Sequence, residues 1–113
     1  MAGQLEGKVA LITGAVRRGG RATAHALARE GASIVINTRR SRDEAEKVRT
    51  EIEAMGRQAL VCLADITDEA AVAGMYGEIE KRFGRLDILV NNAADRSVVP
   101  FEKMTTGEWR HIV

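Results

Sequence analysis

The sequence has one cysteine, no excess of either charge and no long hydrophobic run, and each shortage removes a class of function. Cys62 alone cannot form a disulfide within the chain, and its place in the apolar run Leu60-Val61-Cys62-Leu63 gives the thiol the role of a small hydrophobe. A reduced, cytoplasmic setting is expected. Lys and Arg number 17 against 16 Asp and Glu, a formal net charge of +1. That balance offers no broad basic field for nucleic acid or an anionic membrane, so any anion must be caught locally. No apolar run approaches the roughly 20 residues that cross a bilayer, and the opening Met1-Ala2-Gly3-Gln4-Leu5-Glu6-Gly7 lacks the basic start and apolar stretch of a signal peptide. Neither nucleic acid nor a membrane is an expected partner. Linkers, low-complexity tracts and repeats are missing too, and 113 residues suffice for one domain with its own core.

What is present is a regular alternation. Short apolar runs at 9–12, 34–36, 60–63 and 88–90 are rich in Val, Ile and Leu and lack polar alternation, the pattern of strands covered on both faces. Between them apolar residues recur every three or four positions, as Ala45, Val48, Ile52 and Met55 and then Val72, Met75, Ile79 and Phe83, which predicts helices that lay one stripe on a sheet. Gly31, Gly56 and Gly84 close helical stretches where a left-handed residue is required, and Ser41-Arg42-Asp43-Glu44 and Thr105-Thr106-Gly107-Glu108 read as capping boxes. The order strand, helix, strand, helix, strand, helix, strand and the start of a helix predicts an α/β fold. Its architecture is a doubly wound parallel sheet of the Rossmann type, of which the N-terminal half, about four strands, is present. Right-handed crossovers make the first and fourth strands neighbours at a switch point, with a ligand above their C-terminal ends. The apolar edge at 86–90 is expected to stay open, and the isolated segment to be poorly soluble.

Directly after the first apolar run comes Thr13-Gly14-Ala15-Val16-Arg17-Arg18-Gly19-Gly20-Arg21-Ala22, a glycine-rich turn that opens onto a helix. Glycine serves where the chain turns sharply and where backbone approaches a pyrophosphate, and the helix N-terminus offers free N–H groups to the anion. Taken alone, the turn fits an ordinary strand-to-helix loop equally well.

Thr13-Gly14-xxx-Arg18-x-Gly20, with Asn91-Asn92-Ala93 after the fourth strand and Gly84-Arg85-Leu86-Asp87-Ile88-Leu89-Val90 ahead of it, resembles the short-chain dehydrogenase/reductase family from about Lys8 to the end of the chain. Arg18 stands where the family usually has glycine, so the turn is similar to the TGxxxRxG variant of the pteridine reductase subgroup. The resemblance implies that Arg18 lies by both pyrophosphate and substrate pocket, although a shift by one residue would let Gly19 serve as the missing glycine. It further implies a cofactor site built from Gly14, Ala15, Val16, Arg17, Arg18, Gly19 and Gly20, with Asp65 and Ile66 bordering the adenine and Asn91 and Ala93 at the switch point. On residue type, Asp65 reads equally well as a cap for a helix beginning near Asp68. Ala94 departs from the family's usual glycine.

An acid at the end of the second strand would bind a ribose 2′-hydroxyl and repel a 2′-phosphate. None is present there; Asn37-Thr38-Arg39-Arg40-Ser41 follows instead, with two guanidinium groups and the hydroxyls of Thr38 and Ser41. Arginine and phosphate form strong, directional bonds, so NADP(H) is expected over NAD(H). The competing possibility is a solvated basic loop in which Arg39, Arg40 and Arg42 pair with Asp43, Glu44 and Glu46.

The resemblance implies catalysis by an asparagine, a serine and a tyrosine lowered in pKa by a lysine. Tyr76, the sole tyrosine, has Lys81 five residues on and fails the Tyr-xxx-Lys spacing, so no catalytic residue is assigned. His25 and His111 lack partners at ligand spacing, and no metal site is expected. The chain ends at Val113 a few residues short of where the catalytic asparagine would fall. The expectation is one NAD(P)-binding Rossmann domain over 1–113, truncated before the catalytic segment and inactive alone. Its parent would be an NADP(H)-dependent oxidoreductase for a small carbonyl (3-oxoacyl-like) or pterin-like substrate, a homo-oligomer (dimer or tetramer) at full length. The alternative is a non-catalytic dinucleotide-binding module or inactive fragment.

Overall fold

Val9–Thr13 forms the first strand, β1, and every one of its five residues is buried, which requires a partner on each edge and a layer on each face. The computed structural model describes residues 3–16 and 18–91, Arg18 by its backbone alone, and the backbone of 98–100. In chain order the elements are β1, α1 (Arg18–Arg29), β2 (Ser33–Thr38), α2 (Arg42–Ala54), β3 (Ala59–Leu63), α3 (Glu69–Phe83), β4 (Ile88–Asn91) and β5 (Val98–Pro100). The sheet order is β3-β2-β1-β4-β5, with the first four strands parallel. This is the expected doubly wound α/β arrangement, and β1 and β4 are neighbours, Thr13 lying opposite Asn91.

Side chains alternate across a strand, and here the alternation sorts the core into two layers. Ala10, Ile12, Ile34 and Ile36 face Ala24 and Ala28 of α1 and Ala45, Val48 and Ile52 of α2. Val9, Leu11, Val35, Cys62 and Leu89 face Met75 and Ile79 of α3. The chain steps outward from β1 to β3 along one face and returns to β4 along the other, as right-handed crossovers dictate.

Two expectations are corrected. The apolar edge of β4 is not open, because β5 pairs with β4 antiparallel, Leu89 opposite Val99 and Val90 opposite Val98. The expected poor solubility thus loses its stated cause. The capping box at Ser41 is not made either: Ser41 occupies the N-cap position of α2, yet its side chain accepts no amide, and Asp43 and Glu44 supply the first turn's negative charge instead. β3, at the sheet's other edge, is covered only in part, with Leu63 39% exposed. Gly31, Gly56 and Gly84 take the positive φ expected of helix ends. The second capping box at Thr105, together with Trp109 and His111, lies outside the described residues.

Candidate functional site

The C-terminal ends of β1 to β4 converge along one rim of the sheet. At β1, Gly14 turns the chain with φ 62°, a left-handed conformation that a β-carbon disfavours, and the Ala15 N–H donates to the Asn37 carbonyl of β2 at 3.2 Å. α1 begins at Arg18, so Gly19 and Gly20 are already helical. Any need for glycine at those two positions is a need for space, not for unusual torsion angles. The first turn of α1 contains no acid, whereas those of α2 and α3 carry Asp43, Glu44 and Glu69. Its amide end therefore has no acidic side chain in its own first turn, and Arg21 of that turn pairs with Glu51 of α2. Ala15 is buried and Val16 half-buried beneath this turn; Arg17 and Ala93 lie outside the described residues, as does the side chain of Arg18.

β2 extends further than its apolar run and takes in Asn37 and Thr38, both buried, so Thr38 belongs to the strand and Arg39 is the first exposed residue after it. Sequence reasoning gave Asn37 no role. Its Nδ2 donates to the carbonyls of Cys62 and Ala64, each at 3.2 Å, while the Ala64 N–H donates to Thr38 at 3.1 Å. These three bonds dock the exit of β3 onto the end of β2 and place Asp65 beside the basic turn. A buried polar residue ending an apolar run was the available signal, since such a group must find partners.

Asp65 is neither free nor the helix cap. Its Oδ1 accepts from the Thr67 amide at 2.9 Å and hydroxyl at 2.6 Å, and Asp68 caps α3. The Thr67 bonds, aided by Arg39 and Arg40, hold the Asp65 carboxyl below the usual carboxylate range. Its Oδ2 lies 3.4 Å from Arg39 Nη2. Arg42 pairs with Glu46 at 3.7 Å, and Arg40 has no acidic partner within ion-pair distance among the described residues. Pairing of the basic turn with α2 thus occurs for Arg42 alone. Arg40 and Ser41, with Arg42, Asp43 and Glu44, line an open recess of about 300 Å³. Ile66 is half-buried beside Asp65.

At the switch point Asn91 is fully buried and its Oδ1 accepts from the Thr13 hydroxyl at 3.0 Å, with the Val90 carbonyl at 3.4 Å from the same hydroxyl. The side chain joins β1 to β4 beneath the rim. Cys62 is buried, and burial pushes its thiol up to about 12, which keeps it neutral and unreactive. Among the described residues no group of three or more His, Cys, Asp and Glu could hold a metal, and no helix is long and apolar enough to cross a membrane. The rim therefore presents an acid-free helix N-terminus at one end and exposed guanidinium groups at the other, with Asp65, in the connection from β3 to α3, against Arg39.

Residues 8–113 match the family model for short chain dehydrogenases. The chain is 40% identical over 108 residues to hydroxynaphthalene reductase arp2 of Aspergillus fumigatus, covering 96% of this chain and 40% of that protein. It is 41% identical over 109 residues to versicolorin reductase 1 of Aspergillus parasiticus, covering 96% and 42%. Among solved structures, a short chain dehydrogenase from Burkholderia cenocepacia in complex with NADP superposes with a TM-score of 0.76 at 39% identity, over 93% of this chain and 43% of that one. The chain spans about two fifths of the length of the relatives it matches. A model match over nearly the whole sequence and a superposition at 39% identity make this chain a member of the short chain dehydrogenase family.

Proposed function

We propose that the chain supplies the cofactor-binding half of an NADP(H)-dependent oxidoreductase. The observation that carries this reading is the rim after β2, where Arg39 and Arg40 are exposed, Asn37 and Thr38 are enclosed and no carboxylate ends the strand. A dinucleotide laid along the rim would set its pyrophosphate at Gly14 to Gly20, on the acid-free N-terminus of α1, with Arg17 and Arg18 as further cations. Its adenine would border Asp65 and Ile66. The 2′-phosphate would meet Arg39 and Arg40, near Thr38 and Ser41, and the nicotinamide half would run toward Asn91 and Ala93 at the switch point. The Burkholderia relative's complex with NADP supports the choice of coenzyme. When bound, the nicotinamide supplies or accepts hydride; the residues described here bind and orient it.

The substrate is proposed to be a small carbonyl compound, 3-oxoacyl-like or pterin-like. Reductases among the relatives support the carbonyl class, and the Arg18 variant of the glycine turn supports the pterin-like one. Assembly as a dimer or tetramer and a cytoplasmic setting belong to the same proposal. The test is coenzyme selectivity: the double variant Arg39→Glu, Arg40→Glu should lose NADPH affinity by at least about 100-fold, the cost of setting two like charges against a phosphate. NADH affinity should change less than about threefold. Equal losses for both coenzymes, read by titration of nicotinamide fluorescence, would show that the arginines do not recognise the 2′-phosphate.

A further inference from the structure

Asp65 is anchored on one side and engaged on the other. Thr67 occupies Oδ1 through both its amide and its hydroxyl, which fixes the carboxylate on the rim, and Oδ2 faces Arg39. Arg39 is 62% exposed at this contact, so its guanidinium can leave without unpacking anything. Asp65 is its one acidic partner within ion-pair distance among the described residues, and a phosphate that recruits Arg39 must draw it away from that carboxylate.

We propose that Asp65 tunes coenzyme specificity by competing with the 2′-phosphate for Arg39, so that the chain discriminates between NADP(H) and NAD(H) less sharply than its two arginines alone would allow. The inference rests on the NADP(H) reading above. With NAD(H) bound, Arg39 stays on Asp65; with NADP(H), it transfers to the phosphate and Oδ2 is released. Adenine is common to both coenzymes, so any contact between Asp65 and the base cancels in the ratio of their affinities. The ratio therefore reports events at the 2′ position.

The test is a double-variant cycle on this chain, with NADPH and NADH as probes and nicotinamide fluorescence as the readout. Asp65→Asn keeps an oxygen for the Thr67 amide and hydroxyl but removes the charge that holds Arg39. Asp65→Ser, which retains a hydroxyl acceptor, is the second variant should the first fold poorly. The preference for NADPH over NADH should rise about two- to fivefold, the worth of one exposed ion pair. In an Arg39→Gln background the same substitution should leave the preference unchanged. No rise, a fall, or an equal rise without Arg39 would overturn the proposal, the last by showing plain repulsion between Asp65 and the phosphate. If the unsubstituted chain prefers NADPH and Asp65→Asn changes nothing, this inference fails alone; if it binds neither coenzyme, or prefers NADH, the NADP(H) reading fails and takes this one with it.

Discussion

Asp87 accepts the Val9 amide at 2.8 Å and three hydrogen bonds from the Arg85 guanidinium, at the opposite end of the sheet from the rim formed by the strands' C-terminal ends. Burial works against its charged form, but the bonds from Arg85 and Val9 outweigh it and hold the carboxyl below the usual carboxylate range. A folded-state pKa below the unfolded value of about 3.9 gives stability that is present above that value and is lost as pH falls through the lower, folded one. Urea denaturation midpoints should therefore be flat from neutral pH to about pH 5 and fall steeply below about pH 4. Asp87→Ala should cost about 1–3 kcal/mol at pH 7, because it strands a buried N–H, and should shrink the acid-dependent loss. An acid limb of unchanged height in the variant would assign that loss to other carboxylates. Single residues were unevenly legible in the sequence. Gly14 could be read from its place after an apolar run, since a sharp turn there needs a residue tolerant of positive φ. Asn37 and Thr13 could not, because the carbonyls and the amide they meet belong to strands 25 and 78 residues away.

Helix α3 is held at both ends by local chemistry. Asp68 accepts the amides of Ala70 and Ala71 at 2.9 and 3.3 Å, and Gly84 closes the C-terminus with φ 74° and its N–H on the Glu80 carbonyl. Asp68→Ala should lower stability by about 0.5–2 kcal/mol. Ser41→Ala, at the N-cap of α2 where no side-chain bond exists, should cost less than half as much in the same denaturation assay. Comparable losses would mean that Ser41 adopts its cap in solution. Elements as wholes were the most legible level, because periodicity needs no tertiary context. Ala45, Val48, Ile52, Met75 and Ile79 are buried as their spacing predicts, while Val72 and Phe83 are half-buried, at the margins of the α3 stripe. β3 was over-read as covered on both faces. A run of Leu, Val, Cys and Leu carries no mark of whether the strand lies inside the sheet or at its edge, where one neighbour is missing.

For the whole molecule, strand order governs where stability is concentrated. β1 lies between β2 and β4 with helices on both faces, so its amides should open only with the fold itself. Hydrogen exchange should be slowest at Leu11 and Ile12 and faster by at least tenfold at Leu60 and Val61 of the edge strand; the reverse ranking would contradict the strand order. By itself the sequence determined the α/β class, the number of parallel strands, the turn at Gly14 and the absence of an acid after β2, since each follows from local pattern or residue type. The tertiary structure alone decided that β5 covers the edge of β4, that Asn37 docks β3, and that Asp65 lies against Arg39. The Asn37 and Asp65 contacts join residues far apart in the chain, which only the strand order brings within reach, and the pairing of β5 with β4 follows from backbone geometry that no residue pattern marks.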